Sequence, residues 1–297
     1  ILKRPKATIT ANPTDGCDPL HVNLKGDSSY NSWTFSTGNL SILNELTETF
    51  TSTGPHWVKL TSEYANGCID STSINLVVHP RPDASFTSSI DSSCTYPVTV
   101  DYTNTTIGAL GYNWIFGNGN RSTQTSPSET LTTPNTYNDT LIASNQFGCK
   151  DTATSQIQIY EKPNASGLLS PLSGCAPLNV NFTNTSQNSL TSKWYFGNGD
   201  SSLQDDTDYT YTNVGGYRPS LVVYGNANCT DTFKFASAID VHPNPIADFD
   251  FDAISVTTTF TNLSSIADSY LWKFGDGDTS VIENPVHNFP GNGIFNT

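Results

Sequence analysis

Six cysteines are the residues of this sequence whose chemistry is easiest to interpret. They are Cys17, Cys68, Cys94, Cys149, Cys175 and Cys229. No two of them form a Cys-x-x-Cys motif and no histidine pair lies nearby, so a zinc centre is disfavoured. The two readings that remain are disulfides, which we expect, and free buried thiols. Disulfides persist in oxidising compartments, so a secreted, cell-surface or periplasmic protein is expected.

Asp276 and Asp278 are the residues that could bind a metal ion. Together with Asp200 they lie in Gly-rich turns and offer carboxylate oxygens, the ligands that Ca²⁺ takes in sets of six to eight. No glutamate at a fixed spacing completes such a set. We therefore expect no cofactor, with Ca²⁺ at Asp276 and Asp278 as the weaker alternative.

Other reactive patterns favour structural roles. The Gly-rich turns at 117–120, 197–200 and 275–278 are not followed by a helical pattern, which a phosphate-binding loop requires. The five histidines are scattered, and the sequence contains no Gly-x-Ser-x-Gly motif. We therefore expect no catalytic residue and no enzyme activity. The aspartates Asp70, Asp151 and Asp231 follow the second cysteines and are expected to cap the turn that enters the last strand.

An internal repeat explains the spacing of these residues. Four of the five tryptophans lie 78–81 residues apart, and each of the four begins a Trp-x-Phe-x-x-Gly turn motif, whereas Trp57 does not fit the series. The four are Trp33, Trp114, Trp194 and Trp272, and we expect them to form the cores. A Pro-x-Ala motif precedes each, starting at Pro5, Pro82, Pro163 and Pro245.

The repeat predicts all-β domains in tandem. Alternating segments such as Val180–Thr183 have the period-two pattern of a strand with one buried face. Short strands with frequent turns in about 80 residues favour an immunoglobulin-like sandwich. We predict domains over 1–80, 81–162 and 163–244 and a partial fourth over 245–297, joined by short Pro-containing linkers in a linear array.

The repeat also predicts how the cysteines pair. Each complete unit holds two, so we expect Cys17–Cys68, Cys94–Cys149 and Cys175–Cys229. The fourth unit has Ser255 where the others have their first cysteine, so we expect no cysteine near position 307. In that unit Asp248, Asp250 and Asp252 alternate with Phe249 and Phe251, which predicts phenylalanine rings in the core and carboxylates in water.

Composition excludes some partners. The net charge is −14 and the 13 basic residues are dispersed, so nucleic acid is not expected, because phosphate binding needs clustered cations. No run of 18 apolar residues is present, so no membrane span is expected in this segment.

The motif around Trp272 and its counterparts resembles the polycystic kidney disease (PKD) repeat. Residues 270–295, with Trp272-Lys-Phe274-Gly-Asp-Gly277-Asp, match that pattern best, and the first unit departs from it at Ser36 and His56. The Asn66-Gly67-Cys68-Ile69-Asp70 motif is similar to the Cys-containing form in large bacterial (Bacteroidetes-type) cell-surface and gliding adhesins.

The resemblance implies an immunoglobulin-like module of an extracellular protein. We expect a non-catalytic stalk or adhesin that acts in adhesion, surface motility or a filament, with protein or polysaccharide ligands. The alternative is a spacer or substrate-binding region of a secreted hydrolase. The incomplete fourth unit could also accept strands from another chain and so support self-association.

Overall fold

A computed structural model describes residues 6–27, 30–65 and 67–297. Pro5 and Asn66, which belong to the motifs above, lie outside the described residues. The chain forms two compact units, 1–161 and 162–297, and each is described by itself. The finer division into four domains stays a prediction.

The first unit contains two groups of strands that share no sheet. Residues 9–79, here called sandwich 1, form sheets ordered β1-β3-β6 and β2-β8-β7-β4-β5. Their bounds are β1 (Ile9–Asn12), β2 (Asp15–Cys17), β3 (Leu20–Gly26), β4 (Tyr30–Phe35), β5 (Leu40–Ser41), β6 (Glu45–Phe50), β7 (Gly54–Glu63) and β8 (Ile69–His79).

Residues 86–159, sandwich 2, have the same arrangement, with sheets ordered β14-β11-β9 and β10-β16-β15-β12-β13. Their bounds are β9 (Phe86–Ser88), β10 (Ser92–Ser93), β11 (Val98–Asn104), β12 (Gly111–Ile115), β13 (Arg121–Ser122), β14 (Ser128–Leu131), β15 (Asn135–Ser144) and β16 (Lys150–Ile159).

The second unit begins with sandwich 3, residues 167–242. Its sheets are ordered β17-β19-β22, β21-β20-β24-β25 and β18-β26-β23. Their bounds are β17 (Gly167–Ser170), β18 (Ser173–Cys175), β19 (Leu178–Asn184), β20 (Thr191–Tyr195), β21 (Ser201–Ser202), β22 (Thr207–Tyr211), β23 (Gly215–Tyr217), β24 (Ser220–Tyr224), β25 (Thr230–Lys234) and β26 (Ile239–His242), with a 3₁₀ turn at Asn226–Asn228. Pro219 separates β23 from β24, where sandwiches 1 and 2 have one long strand, because proline has no N–H to donate.

Residues 249–288, segment 4, form part of a sandwich. The sheets are β27-β28-β31 and β29-β30. Their bounds are β27 (Phe249–Ile254), β28 (Thr257–Asn262), β29 (Trp272–Lys273), β30 (Thr279–Ser280) and β31 (Val286–Asn288).

The predicted all-β, immunoglobulin-like sandwich class is confirmed, and the tryptophans lie in its cores. Trp33, Trp114 and Trp194 are fully buried, and Trp272 is 8% exposed. Each indole N–H donates to a carbonyl 10 or 11 residues later, as Trp114 Nε1 does to Gln124 O at 2.9 Å. A buried indole needs such an acceptor, so the repeated tryptophan sets both packing and hydrogen bonding.

Segment 4 departs from the expected core. The Phe249 ring packs against Trp272, with centroids 5.3 Å apart, yet Phe251 remains 61% exposed. The prediction that both rings are buried is wrong, since the sheet face that carries them is incompletely covered in segment 4.

The turn glycines have two functions. The second glycine of each turn has positive φ, as Gly119 does at 92°. The first allows close approach of a facing strand, because a Cβ on Gly117 would lie 2.5 Å from Asn138 N.

Candidate functional site: the disulfide-bridged junction

A disulfide joins sandwich 1 to sandwich 2. Cys17, the last residue of β2, bonds to Cys149, with the Cα atoms 5.6 Å apart. Cys149 lies in the turn between β15 and β16. The predicted Cys17–Cys68 pair is therefore wrong, and the bridge spans two repeats.

Strand length explains why a sandwich cannot close with its own pair. β2 runs parallel to the end of β8, which places Cys17 beside His79. Cys68 immediately precedes β8, at its other end. Eleven residues of strand span roughly 35 Å, whereas a disulfide requires Cα atoms within about 7 Å.

The other predicted pairs are also wrong. Cys149 bonds to Cys17 and so cannot pair with Cys94, and Cys175 is a free thiol, so it is not bonded to Cys229. Cys94 and Cys229 each form a disulfide. The expectation that cysteines form disulfides therefore holds for Cys17, Cys94, Cys149 and Cys229, but not for Cys175.

Further contacts surround the bridge. The Phe147 ring stacks on His79, with centroids 3.7 Å apart and planes 9° from parallel. Asn145 Nδ2 donates to Pro80 O at 2.8 Å. The junction therefore combines ring stacking and a hydrogen bond with a covalent link.

Arg81 in the linker contacts both sandwiches. Its backbone N–H donates to Asp18 Oδ1 at 3.0 Å, and its Nε donates to Asp18 O. Its Nη1 donates to Lys150 O at 3.2 Å. The guanidinium thus connects the end of sandwich 1 to the turn that carries Cys149.

The repeated aspartates have a role that the sequence reasoning missed. Instead of capping a local turn, each accepts a hydrogen bond from the alanine N–H of the Pro-x-Ala motif that begins its own repeat. The pairs are Asp70 with Ala7 at 2.9 Å, Asp151 with Ala84 at 2.8 Å and Asp231 with Ala165 at 2.9 Å. The aspartate and the Pro-x-Ala motif therefore form one contact that ties the first residues of a repeat to its last strand.

A second repeated contact holds the Trp-x-Phe turns. The Glu129 carboxylate accepts from Asn118 and Asn120 at 2.9 and 2.8 Å. Glu48, Tyr209 and His287 occupy the equivalent positions, and they bond to Asn39, Asn198 and Asp276 respectively. Different residue types therefore hold the same turn to the neighbouring strand.

This contact determines how the calcium candidates are interpreted. Ligand atoms of Asp276, Asp278 and His287 lie within 4.8 Å of one another. His287 Nε2 is 2.7 Å from Asp276 Oδ2, and this hydrogen bond lowers the pKa of Asp276. An imidazole nitrogen is not a ligand that Ca²⁺ prefers. The His287–Asp276 bond repeats the turn contact of the other sandwiches, which gives the cluster a structural role. The expectation of no cofactor, with Ca²⁺ at Asp276 and Asp278 as the weaker alternative, stays a prediction.

A buried carboxylate in sandwich 2 was not predicted. Asp139 is fully buried and accepts from Tyr102 Oη at 2.5 Å and from the Gly117 N–H at 2.9 Å. Burial, followed by the hydrogen bond to Asp139, raises the pKa of Tyr102. The Tyr102 hydroxyl and the Gly117 N–H supply the hydrogen bonds that a buried carboxylate needs. Its position in a strand pattern of otherwise alternating residues gave no separate signal.

Sandwich 1 compensates for its departures from the motif. His56 Nε2 donates to Ser52 O at 2.7 Å. At the equivalent position of sandwich 2, the Tyr137 hydroxyl donates to Thr133 O at 2.8 Å. His56 Nδ1 is 2.8 Å from Ser36 Oγ. Because Nε2 donates, Nδ1 accepts from the serine, so Ser36 and His56 replace the usual glycine and tyrosine as a pair.

Comparisons with known proteins support the resemblance to the PKD repeat for part of the chain. No helix among the described residues is long and apolar enough to cross a membrane. Residues 77–159 match the family model of the PKD domain. No curated protein matches the sequence.

Solved structures of similar fold include the PKD1 domain of the Vibrio cholerae metalloprotease PrtV, with 28% identity over 27% of this chain and 96% of that one, at a TM-score of 0.24. A Ca²⁺-stabilised ice-binding adhesin of an Antarctic bacterium is 11% identical over 96% of this chain and 90% of that one, at a TM-score of 0.33. A tetra-tandem repeat of the extending region of a large adhesion protein is 13% identical over 95% and 87%, at 0.31.

The match at 77–159 covers sandwich 2, which carries Trp114, the Gly117-Asn-Gly119 turn and Tyr137. These are the residues whose contacts build the core and its turns. This part of the chain is therefore similar to the PKD domain.

Proposed function

We propose that this chain is a non-catalytic segment of a secreted or cell-surface repeat protein that acts as a stalk or adhesin. The observation that carries the proposal is the Cys17–Cys149 disulfide between consecutive sandwiches. It supports an oxidising location, because such bonds are rarely retained in a reducing cytosol.

The bridge has a mechanical consequence. Tension that enters before Cys17 crosses the sulfur–sulfur bond to Cys149, so the residues between them carry no extending load. The two cysteines are 132 residues apart. At roughly 3.3–3.6 Å per residue, about 450 Å of chain cannot be released by unfolding. A stalk that must hold its length under load benefits from this arrangement.

The surface chemistry is consistent with the proposal. The chain has a net charge of −14, which favours solubility and weak mutual repulsion and disfavours polyanionic partners. Ligands would therefore be protein or polysaccharide surfaces that are bound at several repeats, where multiple weak contacts add avidity.

Single-molecule stretching tests the mechanical role. The full chain is pulled from its termini in a Cys94→Ser background, which removes the disulfide of Cys94 and keeps the Cys17–Cys149 bridge. The comparison protein carries Cys17→Ser and Cys149→Ser in the same background. The expected gain in total contour length is about 450 Å. Equal contour lengths in the two proteins would refute the proposed mechanical role.

A further inference from the structure

The turn of sandwich 2 at residues 145–151 docks on a defined surface of the first unit. Its partners there are Cys17, His79, Pro80 and Ala84, through the disulfide, the ring stack and two hydrogen bonds. We call these four residues the hairpin seat, and the turn with its flanking strands the closing hairpin.

The second unit contains the same seat at equivalent positions. Cys175 ends β18, which runs parallel to β26 and places Cys175 beside His242, as Cys17 lies beside His79. Pro243 and Ala247 follow at the spacing of Pro80 and Ala84. Cys175 is exposed and is a free thiol.

A groove lies over this second seat. It has a volume of about 800 Å³, and its walls include Cys175, His242, Pro243, Ile246, Ala247 and the stretch 266–273. The seat residues of the second unit thus line a cavity that is large enough for a turn and its side chains.

One wall of the groove is equivalent to a strand that pairs with the closing hairpin in sandwich 2. In sandwich 2 the strand β12 pairs along its length with β15 of the closing hairpin. The equivalent stretch 269–273 lines the groove, and Leu271 on it is 65% exposed. Within it, β29 pairs with β30 and with no other strand of the described residues, so its second edge is open to β-augmentation.

We propose that this groove binds a β-hairpin of the same repeat type, from outside residues 1–297, and that Cys175 forms a disulfide with its cysteine. The hairpin would carry the pattern of residues 145–151, an asparagine, an aromatic residue, glycine, cysteine and aspartate. Its aromatic ring stacks on His242, its aspartate accepts from the Ala247 N–H, and its preceding strand pairs with 269–273.

The pairing of a cysteine with one in the following sandwich removes the basis for one expectation. Ser255 replaces the first cysteine of the fourth unit, from which we expected no cysteine near 307. Because Cys17 bonds into the following sandwich, the residue at 255 does not determine what Cys175 meets.

The covalent step needs an electron acceptor, a disulfide oxidant such as oxidised glutathione. The thiol of Cys175 and the thiol of the hairpin together lose two protons and two electrons and form one sulfur–sulfur bond. One molecule of oxidised glutathione accepts the two protons and two electrons and is reduced to two molecules of glutathione.

A synthetic peptide with the sequence of residues 135–152 tests the proposal on the full chain. It is incubated in a glutathione redox buffer, and the mixed disulfides are located by mass spectrometry of non-reduced digests. The control peptide keeps Cys149 but carries Phe147→Ala and Asp151→Ala. We expect at least about tenfold more adduct at Cys175 with the parent peptide, because seating raises the effective thiol concentration.

A second measurement separates seating from simple thiol reactivity. Hydrogen exchange of the adduct should slow at 269–273 and at the Ala247 amide, while the Ala84 amide, whose seat is occupied, should not change. Equal adduct yields for the two peptides, or an adduct at Cys175 without this protection, would overturn the proposal. The outcome does not depend on the mechanical role, since no load is applied.

Discussion

The carboxylate of Asp151 accepts a hydrogen bond from the backbone N–H of Ala84, 67 residues earlier, at 2.8 Å. The contact ties the first residues of a repeat to its last strand. We predict that Asp151→Ala lowers the free energy of unfolding by about 1.5 kcal/mol, the usual contribution of a hydrogen bond to a charged group. Urea denaturation measures the change. The exposed Asp91→Ala is the control and should change stability by less than about 0.5 kcal/mol.

Tyr102→Phe removes one of the two donors to the buried Asp139 carboxylate. The expected loss of stability is about 2–3 kcal/mol, because a buried charge is left partly unsatisfied. Tyr211→Phe is the matched control, since its hydroxyl donates to the neutral carbonyl of Phe196 at 2.8 Å. It should cost about 1 kcal/mol. Equal losses would show that the Asp139 charge is not stabilised by Tyr102.

The His287–Asp276 bond predicts a dependence on acid. The hydrogen bond from His287 lowers the pKa of Asp276 below its ordinary value of 3.8. Because the folded state then binds its proton less tightly than the unfolded state does, the stabilisation is present above that value. It is lost as pH falls through the folded pKa.

Urea midpoints between about pH 6 and pH 2 test this prediction. The stability difference between wild type and Asp276→Asn should shrink over the acid part of the range. The exposed Glu283→Gln serves as the control. A difference that stays constant to the lowest pH would contradict the assigned pKa shift.

Native alkylation should distinguish the cysteines. Iodoacetamide on the folded, oxidised chain is expected to modify Cys175, which is exposed and free, but not Cys17 or Cys149. Peptide mapping without reduction should recover Cys17 linked to Cys149. Recovery of a Cys17–Cys68 peptide would show that the bridge is formed within a repeat.

Ser36 and His56 should be energetically coupled. Because they share a hydrogen bond, Ser36→Gly and His56→Tyr are each expected to destabilise sandwich 1, whereas the double variant restores the glycine–tyrosine pair of sandwich 3. A double-mutant cycle should give a coupling energy of about 1 kcal/mol. Strict additivity would rule out the proposed compensation.

Much of the fold could be predicted because its signals are local and repeated. A Trp-x-Phe pair followed by glycine specifies a strand and a turn wherever it occurs, so Trp33 and Trp114 occupy the same place in their cores. The match of residues 77–159 to the PKD family model involves the same motifs. Oxidation of Cys17 and Cys149 was also expected, although not their partnership.

The partners of the cysteines depend on distance in space, which the repeat pattern does not contain. Two cysteines per repeat suggested closure within each, but β2 lies at the far end of β8 from Cys68, and the turn that holds Cys149 lies within bonding distance of Cys17. The contact between Asp151 and Ala84 was missed for the same reason. Residue types and period were enough to predict strands and cores, whereas contacts between residues far apart in the sequence, within a repeat or between repeats, required the three-dimensional arrangement of strand ends.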